Sequence, residues 1–214
     1  MLDLEESVSQ LESWDGALVL IRGAGSQAFC SGGDLRSVRE HLLDSRAAAA
    51  MSMHMAQTLD RLARLPQLVV AAIDGAALGG GAELALSADQ VFMAKTALLG
   101  FVHITLGVSP GWGGGRRLVQ RVGEKRALQI LVEGERLTAE QAKEQLLVER
   151  VCACSAVEEA RGWFRALAHC APEAIRAAVR VTQVSDPDHE REQFLSLWGG
   201  PAHRRALERA RTGS

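Results

Sequence analysis

The sequence contains no tyrosine, and its 214 residues include only five phenylalanines, five prolines and four cysteines. Small secreted domains that depend on disulfides carry cysteines at framework spacings, and these four cysteines show none. Cys152 and Cys154 form a Cys-x-Cys pair, but the second ligand pair of a structural zinc site is missing. We therefore expect reduced thiols, no metal and a cytosolic location. The cysteines are Cys30, Cys152, Cys154 and Cys170.

Long hydrophobic runs and an excess of one charge are also missing. No apolar run approaches the roughly 20 residues that cross a bilayer, so we expect no membrane span. The 24 basic and 26 acidic residues give a net charge of −2, which creates no overall attraction for nucleic acid or an anionic membrane. The N-terminal stretch MLDLEESVSQLE is acidic and helical in pattern, unlike a signal or transit peptide. A soluble protein without nucleic-acid or membrane partners is predicted.

Apolar runs and helix signals alternate in the first part of the chain, and helical patterns dominate the rest. This order predicts an α/β core over residues 1–135 and a helical region over 136–214 in the same structural domain. Thr138 and Ser155 each begin a capping-box pattern, which marks a helix start. Strands are predicted at 17–21, 68–73, 90–94 and 148–152, a loop at 23–34, and helices at 2–11, 45–65 and about 173–184, 189–198 and 202–211.

Two glycine-rich loops follow predicted buried strands: FCSGGD at 29–34 and LGGGAE at 78–83. Ligand sites of α/β sheets lie at the carboxyl ends of strands, so both loops are expected to face one crevice. Glycine lets a backbone approach a ligand with exposed N–H groups, and two such donors aimed at one oxygen form an oxyanion hole. The alternative is that these glycines serve only tight turns and close packing.

Other anion-binding motifs are absent or weak. The stretch DGAALGGGAE lacks the G-x-G-x-x-G register of a dinucleotide site, and the chain contains no GK[ST] phosphate loop. The pair Arg116–Arg117 is predicted to lie on a solvated helix face. The sequence thus favours oxyanion stabilisation over phosphate binding at the glycine loops.

Three stretches resemble, in order, the signature blocks of the enoyl-CoA hydratase/isomerase, or crotonase, superfamily: AFCSGGDL, DGAALGGGAELALSAD and GFVHITLGVSPGWGGGRRL. They cover Ala28–Leu35, Asp74–Asp89 and Gly100–Leu118, and the resemblance runs from about Leu2 to the C-terminus. It implies an α/β fold, a spiral of ββα units with a C-terminal helical trimerisation region. It also implies an acyl-CoA thioester substrate and a homotrimer or hexamer, with no separate cofactor, because coenzyme A is part of the substrate.

The resemblance assigns residues to the site as well. It places the two oxyanion-hole N–H groups at Gly33 and Gly80 and one catalytic carboxylate at Glu83. The second carboxylate of the hydratases falls at position 103, where this sequence has His103. The residues expected to contact the substrate are Gly33, Asp34, Leu35, Arg36, Gly80 and Trp112.

His103 changes the expected chemistry. Hydration needs two carboxylates around one water, whereas decarboxylation leaves a thioester enolate that needs only a proton donor. Histidine is the side chain suited to donate a proton near neutral pH. We expect His103 to place the substrate carboxylate or deliver the proton. Glu83 would orient the group or act as a protonated donor, and Trp112 would exclude water.

The combination of Glu83, FVH at 101–103, SPGWGG at 109–114 and WGGPA at 198–202 resembles one subgroup of the superfamily. Its members decarboxylate ethylmalonyl-CoA and, less well, methylmalonyl-CoA, a reaction regarded as metabolite proofreading. Two alternatives remain. A hydratase or isomerase would use Glu83 alone. A catalytically silent protein would only oligomerise, since family chains normally begin with a strand and turn before the first helix and this sequence begins at that helix.

Overall fold

The computed structural model describes residues 1–25, 27–34 and 44–212. Within these ranges, none of the helices combines the length and apolar character that a membrane crossing requires. The elements are α1 (Leu2–Glu12), β1 (Leu18–Arg22), β2 (Ala28–Cys30), α2 (Ser45–Leu62), β3 (Leu68–Ile73), β4 (Ala76–Leu78), α3 (Gly80–Ala85), β5 (Gln90–Ala94), β6 (Leu98–Gly100), a 3-10 helix (Val102–Leu106), α4 (Gly114–Val122), α5 (Glu124–Glu133), α6 (Ala139–Glu144), β7 (Arg150–Cys152), α7 (Ala156–Leu167), α8 (Pro172–Gln183), α9 (Pro187–Leu197) and α10 (Pro201–Thr212).

The strands form two parallel sheets, one with the order β1-β3-β5-β7 and the other with the order β2-β4-β6. Parallel neighbours need a crossover connection, and helices supply it here. The chain runs through β1, β2 and α2, then β3, β4 and α3, then β5 and β6, so each turn adds one strand to each sheet. This arrangement confirms the predicted spiral of ββα units.

The strand β3, with the sequence LVVAAI, lies inside the four-stranded sheet, and its last five residues are buried. Val69, Ala71 and Ile73 belong to the main core, whereas Val70 and Ala72 pack with Phe92 on the other face. A strand covered on both faces requires a continuous apolar run, which is why this strand is predictable. The predictions at 68–73 and 90–94 are confirmed, and β1 is displaced by one residue.

The sheet β2-β4-β6 is a feature that the sequence does not reveal. Each of its strands has three residues, too few to show an alternating pattern. These strands form because they pair with one another in parallel, as Ala76 does with Ala28 on one side and Leu98 on the other. The prediction of a loop over 23–34 is therefore wrong at residues 28–30.

Helix boundaries follow the capping signals closely. Thr138 and Gln141 form the predicted capping box, and the Ser155 hydroxyl accepts the Glu158 N–H at 3.2 Å as the first half of one. The helix α2 ends three residues before the predicted 65, because Leu65 already makes a tighter turn bond to Leu62. The division at residue 135 and the predicted trimer or hexamer stay predictions.

Candidate active site

The glycine triplet after β4 makes the sharp entry into α3. Gly79 has φ of 55°, a left-handed conformation that favours glycine, and its N–H donates to the Gly100 carbonyl at 2.9 Å. Gly81 lies against β2, since a Cβ on it would meet the Cys30 carbonyl oxygen at 1.9 Å. These glycines therefore allow α3 to begin in contact with the other strands of the small sheet.

The loop after β2 meets this turn. Gly32 has φ of 94°, and a Cβ on it would lie 3.1 Å from the Leu78 carbonyl oxygen and 3.3 Å from the Gly80 nitrogen. The prediction that the two glycine loops share one crevice is thus supported by their close approach. Among the described residues, neither the Gly33 N–H nor the Gly80 N–H has a hydrogen-bond acceptor.

Asp34 is exposed at the end of this loop. The other two residues expected to contact the substrate here, Leu35 and Arg36, lie outside the described residues. The structure consequently describes the part of the predicted CoA-binding segment that adjoins Gly80, and its continuation stays a prediction.

Glu83 is the most enclosed ionisable group of the site, with 1 % of its surface exposed. Its Oε2 accepts the N–H groups of Trp112 at 2.8 Å and Gly114 at 2.7 Å. Its Oε1 accepts the Gly111 N–H at 3.3 Å and lies 3.0 Å from His103 Nε2. Since three backbone N–H groups direct hydrogens at this carboxyl, the ionised form, which only accepts, satisfies all three of them.

His103 lies in the 3-10 helix after β6, and its side chain is 12 % exposed. A carboxylate only accepts, so the ring nitrogen Nε2 facing Glu83 carries the hydrogen. The other ring nitrogen, Nδ1, is buried and has no hydrogen-bond partner among the described residues. The structure thus brings the two residues that the sequence singled out into direct contact and leaves one imidazole nitrogen for a further partner.

Trp112 covers the start of α3. A Cβ on Gly80 would meet the Trp112 ring at 2.2 Å, so the indole lies directly on this glycine. The indole Nε1–H points to the Met51 sulfur at 3.2 Å, and the Ser52 hydroxyl donates to the Gly111 carbonyl at 2.6 Å. The helix α2 therefore holds Trp112 against the glycine that the sequence assigned to the oxyanion hole.

Arg117 corrects one prediction. The sequence pair Arg116–Arg117 was expected on a solvated helix face, but Arg117 is 6 % exposed. It donates to the Trp112 carbonyl at 2.9 Å and to Asp60 at 2.5 Å. Burial lowers the pKa of its guanidinium from the ordinary value, and the nearby Asp60 charge opposes that shift. No sequence signal marks this burial, because Arg117 shares the buried face of α4 with Gly114, whose burial is itself known only from the structure.

Two other kinds of site find little support. The stretch GVSPG at 107–111 has the letters of a serine-hydrolase elbow, but it follows a 3-10 helix instead of a strand, and Ser109 is exposed. Within the described ranges, no group of three or more His, Cys, Asp or Glu side chains is placed to hold a metal ion. The arrangement around Glu83 and His103 remains the best-organised polar site.

Comparison with known sequences identifies the same family that the three sequence blocks resemble. Residues 1–194 match the enoyl-CoA hydratase/isomerase family. An ethylmalonyl-CoA decarboxylase from Gallus gallus is 38% identical over 221 residues, covering 98% of this chain and 74% of the relative. An ethylmalonyl-CoA decarboxylase from Danio rerio is 37% identical, covering 97% of this chain and 72% of the relative.

Solved structures of similar fold include enoyl-CoA hydratases. The enzyme from Bacillus anthracis is 30% identical with a TM-score of 0.91, covering 99% of this chain and 85% of that one. The enzyme from Geobacillus kaustophilus is 27% identical with a TM-score of 0.89, covering 99% and 83% of the two chains. The resemblance of the three sequence blocks is therefore confirmed, and the chain belongs to the enoyl-CoA hydratase/isomerase, or crotonase, family of acyl-CoA enzymes.

Proposed function

We propose that this protein decarboxylates short 2-alkylmalonyl-CoA thioesters, with ethylmalonyl-CoA as the first substrate and methylmalonyl-CoA as a poorer one. The observation that carries the proposal is the Glu83–His103 pair, in which an imidazole occupies the position expected for a second carboxylate. Relatives from Gallus gallus and Danio rerio that align over nearly the whole chain are ethylmalonyl-CoA decarboxylases.

Glu83 orients His103 and takes no part in proton transfer itself. Its two oxygens already receive three backbone N–H groups and the imidazole, so no oxygen is left to bind and activate a water. A protonated carboxyl would place its own hydrogen against one of these donors. Of the two roles predicted for Glu83, the geometry therefore favours the orienting one.

His103 supplies the proton. When the ring is protonated, Nε2–H binds Glu83, and Nδ1–H, which is buried and has no partner among the described residues, becomes the donor to a substrate carboxylate bound beside it. Before the reaction, Nδ1–H binds a carboxylate oxygen of the substrate and holds that group out of the thioester plane. After CO2 leaves, the same N–H is the donor to the α-carbon, and the ring recovers its proton from solvent.

The Gly33 and Gly80 N–H groups stabilise the negative charge that develops. The bond between the α-carbon and the carboxylate breaks, its electron pair forms the enolate, and the charge moves to the thioester oxygen. Both N–H groups lack an acceptor among the described residues, and the two loops approach closely at Gly32 and Gly80. An oxyanion hole of two such donors typically contributes about 10²–10³ in rate for each donor.

Activity measurements distinguish this proposal from the alternatives. The purified protein is incubated with ethylmalonyl-CoA and, separately, with crotonyl-CoA, and CO2 release and water addition are followed. CO2 release without hydration supports a decarboxylase, hydration of crotonyl-CoA overturns the proposal, and turnover of neither substrate favours the silent protein. The variant His103→Ala is expected to lose decarboxylation, while His189→Ala, a histidine near the start of α9, is the matched control.

A further inference from the structure

The loop at residues 109–114 holds the proposed catalytic pair in place. Three of its N–H groups, from Gly111, Trp112 and Gly114, bind the buried Glu83 carboxylate, and Glu83 in turn contacts His103. A shift of this loop would therefore move the imidazole. The loop is itself held by side-chain contacts to its carbonyl groups, such as that of the Ser52 hydroxyl with the Gly111 carbonyl.

One such contact is the Arg117 guanidinium beneath Trp112. Its Nη1–H donates to the Trp112 carbonyl at 2.9 Å, and its Nη2–H donates to Asp60 Oδ1 at 2.5 Å. The peptide groups on both sides of Trp112 are thereby held, one through its C=O by Arg117 and the other through its N–H by Glu83. Hydrogen bonds thus connect Asp60 to Arg117 and Arg117 to the Trp112 carbonyl. The Trp112 N–H continues the series to Glu83, which contacts His103.

The surroundings of Arg117 explain why its contact with the Trp112 carbonyl requires an arginine. The side chain is 6 % exposed, and its partner Asp60 lies on α2, fifty-seven residues earlier in the chain. A buried guanidinium needs all its hydrogen-bond partners, because an unpaired buried charge is costly. The planar fork of arginine can reach the carbonyl and the carboxylate together, and the single ammonium of a lysine cannot reproduce that geometry.

We infer that Arg117, anchored by Asp60, is a positioning residue that sets the orientation of the Glu83–His103 pair through the backbone of Trp112. This inference rests on the proposed function for its kinetic consequence. It assigns Arg117 no contact with substrate. A purely structural ion pair between α2 and α4 is the competing explanation, and it predicts a change in stability without a change in the imidazole.

Arg116 provides a matched control. Its guanidinium also donates to Asp60 Oδ1, at 2.6 Å, but its side chain is 55% exposed and makes no contact with the Trp112 carbonyl among the described hydrogen bonds. Arg116→Ala therefore removes a positive partner of the same carboxylate and leaves the loop contact intact. Asp60→Asn removes the charge yet keeps an oxygen that accepts from Arg117.

The experiment compares Arg117→Lys, Asp60→Asn and Arg116→Ala with the unchanged protein, at a temperature where each remains folded. We expect Arg117→Lys to lower kcat for ethylmalonyl-CoA by about 10–100-fold, since small misplacements of catalytic groups cost up to ~10²-fold, with KM changed less than about threefold. Asp60→Asn is expected to fall between Arg117→Lys and Arg116→Ala, and Arg116→Ala to retain kcat.

A second readout does not depend on turnover. The ¹⁵N signals of His103, assigned with His103→Asn, report which ring nitrogen carries the hydrogen, and we expect them to shift in Arg117→Lys and not in Arg116→Ala. Unchanged His103 signals and kcat in Arg117→Lys would overturn the inference, as would equal losses in Arg117→Lys and Arg116→Ala. If the unchanged protein releases no CO2, the proposed function fails, and the imidazole signals still test the positioning role. If Arg117→Lys does not fold, kcat and the His103 ¹⁵N signals of Asp60→Asn test the inference instead.

Discussion

Replacing Glu83 by glutamine changes one oxygen into an NH2 group and tests the centre of the proposed mechanism. The glutamine oxygen can occupy only one of the two carboxylate positions. The position of Oε2 receives the N–H groups of Trp112 and Gly114 at 2.8 and 2.7 Å, so an NH2 group there would face two donors at close range. The oxygen is therefore expected to stay at this position, with the NH2 group directed towards His103.

This orientation makes the effects on stability and on catalysis very different. The Gly111 N–H loses its acceptor, but that bond is long, at 3.3 Å, and Gly111 is exposed, so the free energy of unfolding should fall by only about 1 kcal/mol. The NH2 group can only donate to His103 Nε2, which forces the neutral ring to carry its hydrogen on Nδ1. That ring cannot take up a second hydrogen at Nε2, so the doubly protonated donor of the proposed mechanism does not form, and we expect a loss of about 10²–10⁴-fold in kcat.

The assays are CO2 release from ethylmalonyl-CoA, denaturant unfolding and the ¹⁵N signals of His103. Glu149→Gln is the matched control, because Glu149 also accepts a backbone N–H, from Val91 at 2.6 Å, and pairs with Arg121 away from the site. That variant should lose stability and keep kcat. Full decarboxylation by Glu83→Gln, with the His103 tautomer unchanged, would refute the orienting role of the carboxylate.

Three further predictions follow from local geometry. Gly114→Ala would place a Cβ 2.3 Å from the Glu83 Cγ. We therefore expect the free energy of unfolding to fall by about 1–3 kcal/mol and kcat to fall by at least about 10-fold. Gly115→Ala is the control, because its Cβ meets nothing closer than 4.0 Å, and it should keep both the stability and kcat. Burial raises the pKa of Asp89 from 3.8 to about 6, so this group binds a proton more tightly in the folded protein than in the unfolded chain, and its contribution to stability should fall as pH rises from 4 to 7. Asp89→Asn should flatten that slope in unfolding experiments, and an unchanged slope would contradict the assignment. Thr138→Ala removes the capping box of α6 and should lower the unfolding free energy by about 1 kcal/mol without changing kcat.

The sequence by itself determined the fold family and the main secondary structure. The strand β3 is covered on both faces, and this burial requires the unbroken apolar run that its residues show. The capping box at Thr138 is equally local, since its two hydrogen bonds join residues three positions apart. Signals of this kind are complete within a few neighbouring residues, so they can be interpreted without knowing the fold.

The individual residues of the site were predicted from the sequence, but the hydrogen bonds between them were not. Glu83 and His103 were singled out by the family resemblance, yet their roles stayed open because the sequence does not contain the hydrogen bonds that each one makes. The structure places four donors around Glu83, three of them backbone N–H groups from a loop about thirty residues away. Every residue except proline has a backbone N–H group, so the residue types in the sequence could not identify these donors.

Only the tertiary structure decided the second sheet and the burial of Arg117. The three-residue strands form because neighbours from other turns of the spiral pair with them, and pairing over long separations leaves no periodic pattern. Arginine is almost always exposed, and at this position it is buried because Asp60 and the Trp112 carbonyl supply its partners. Folding brings these partners together from distant parts of the chain. The partners therefore determine whether an arginine is exposed or buried and whether a short segment forms a strand.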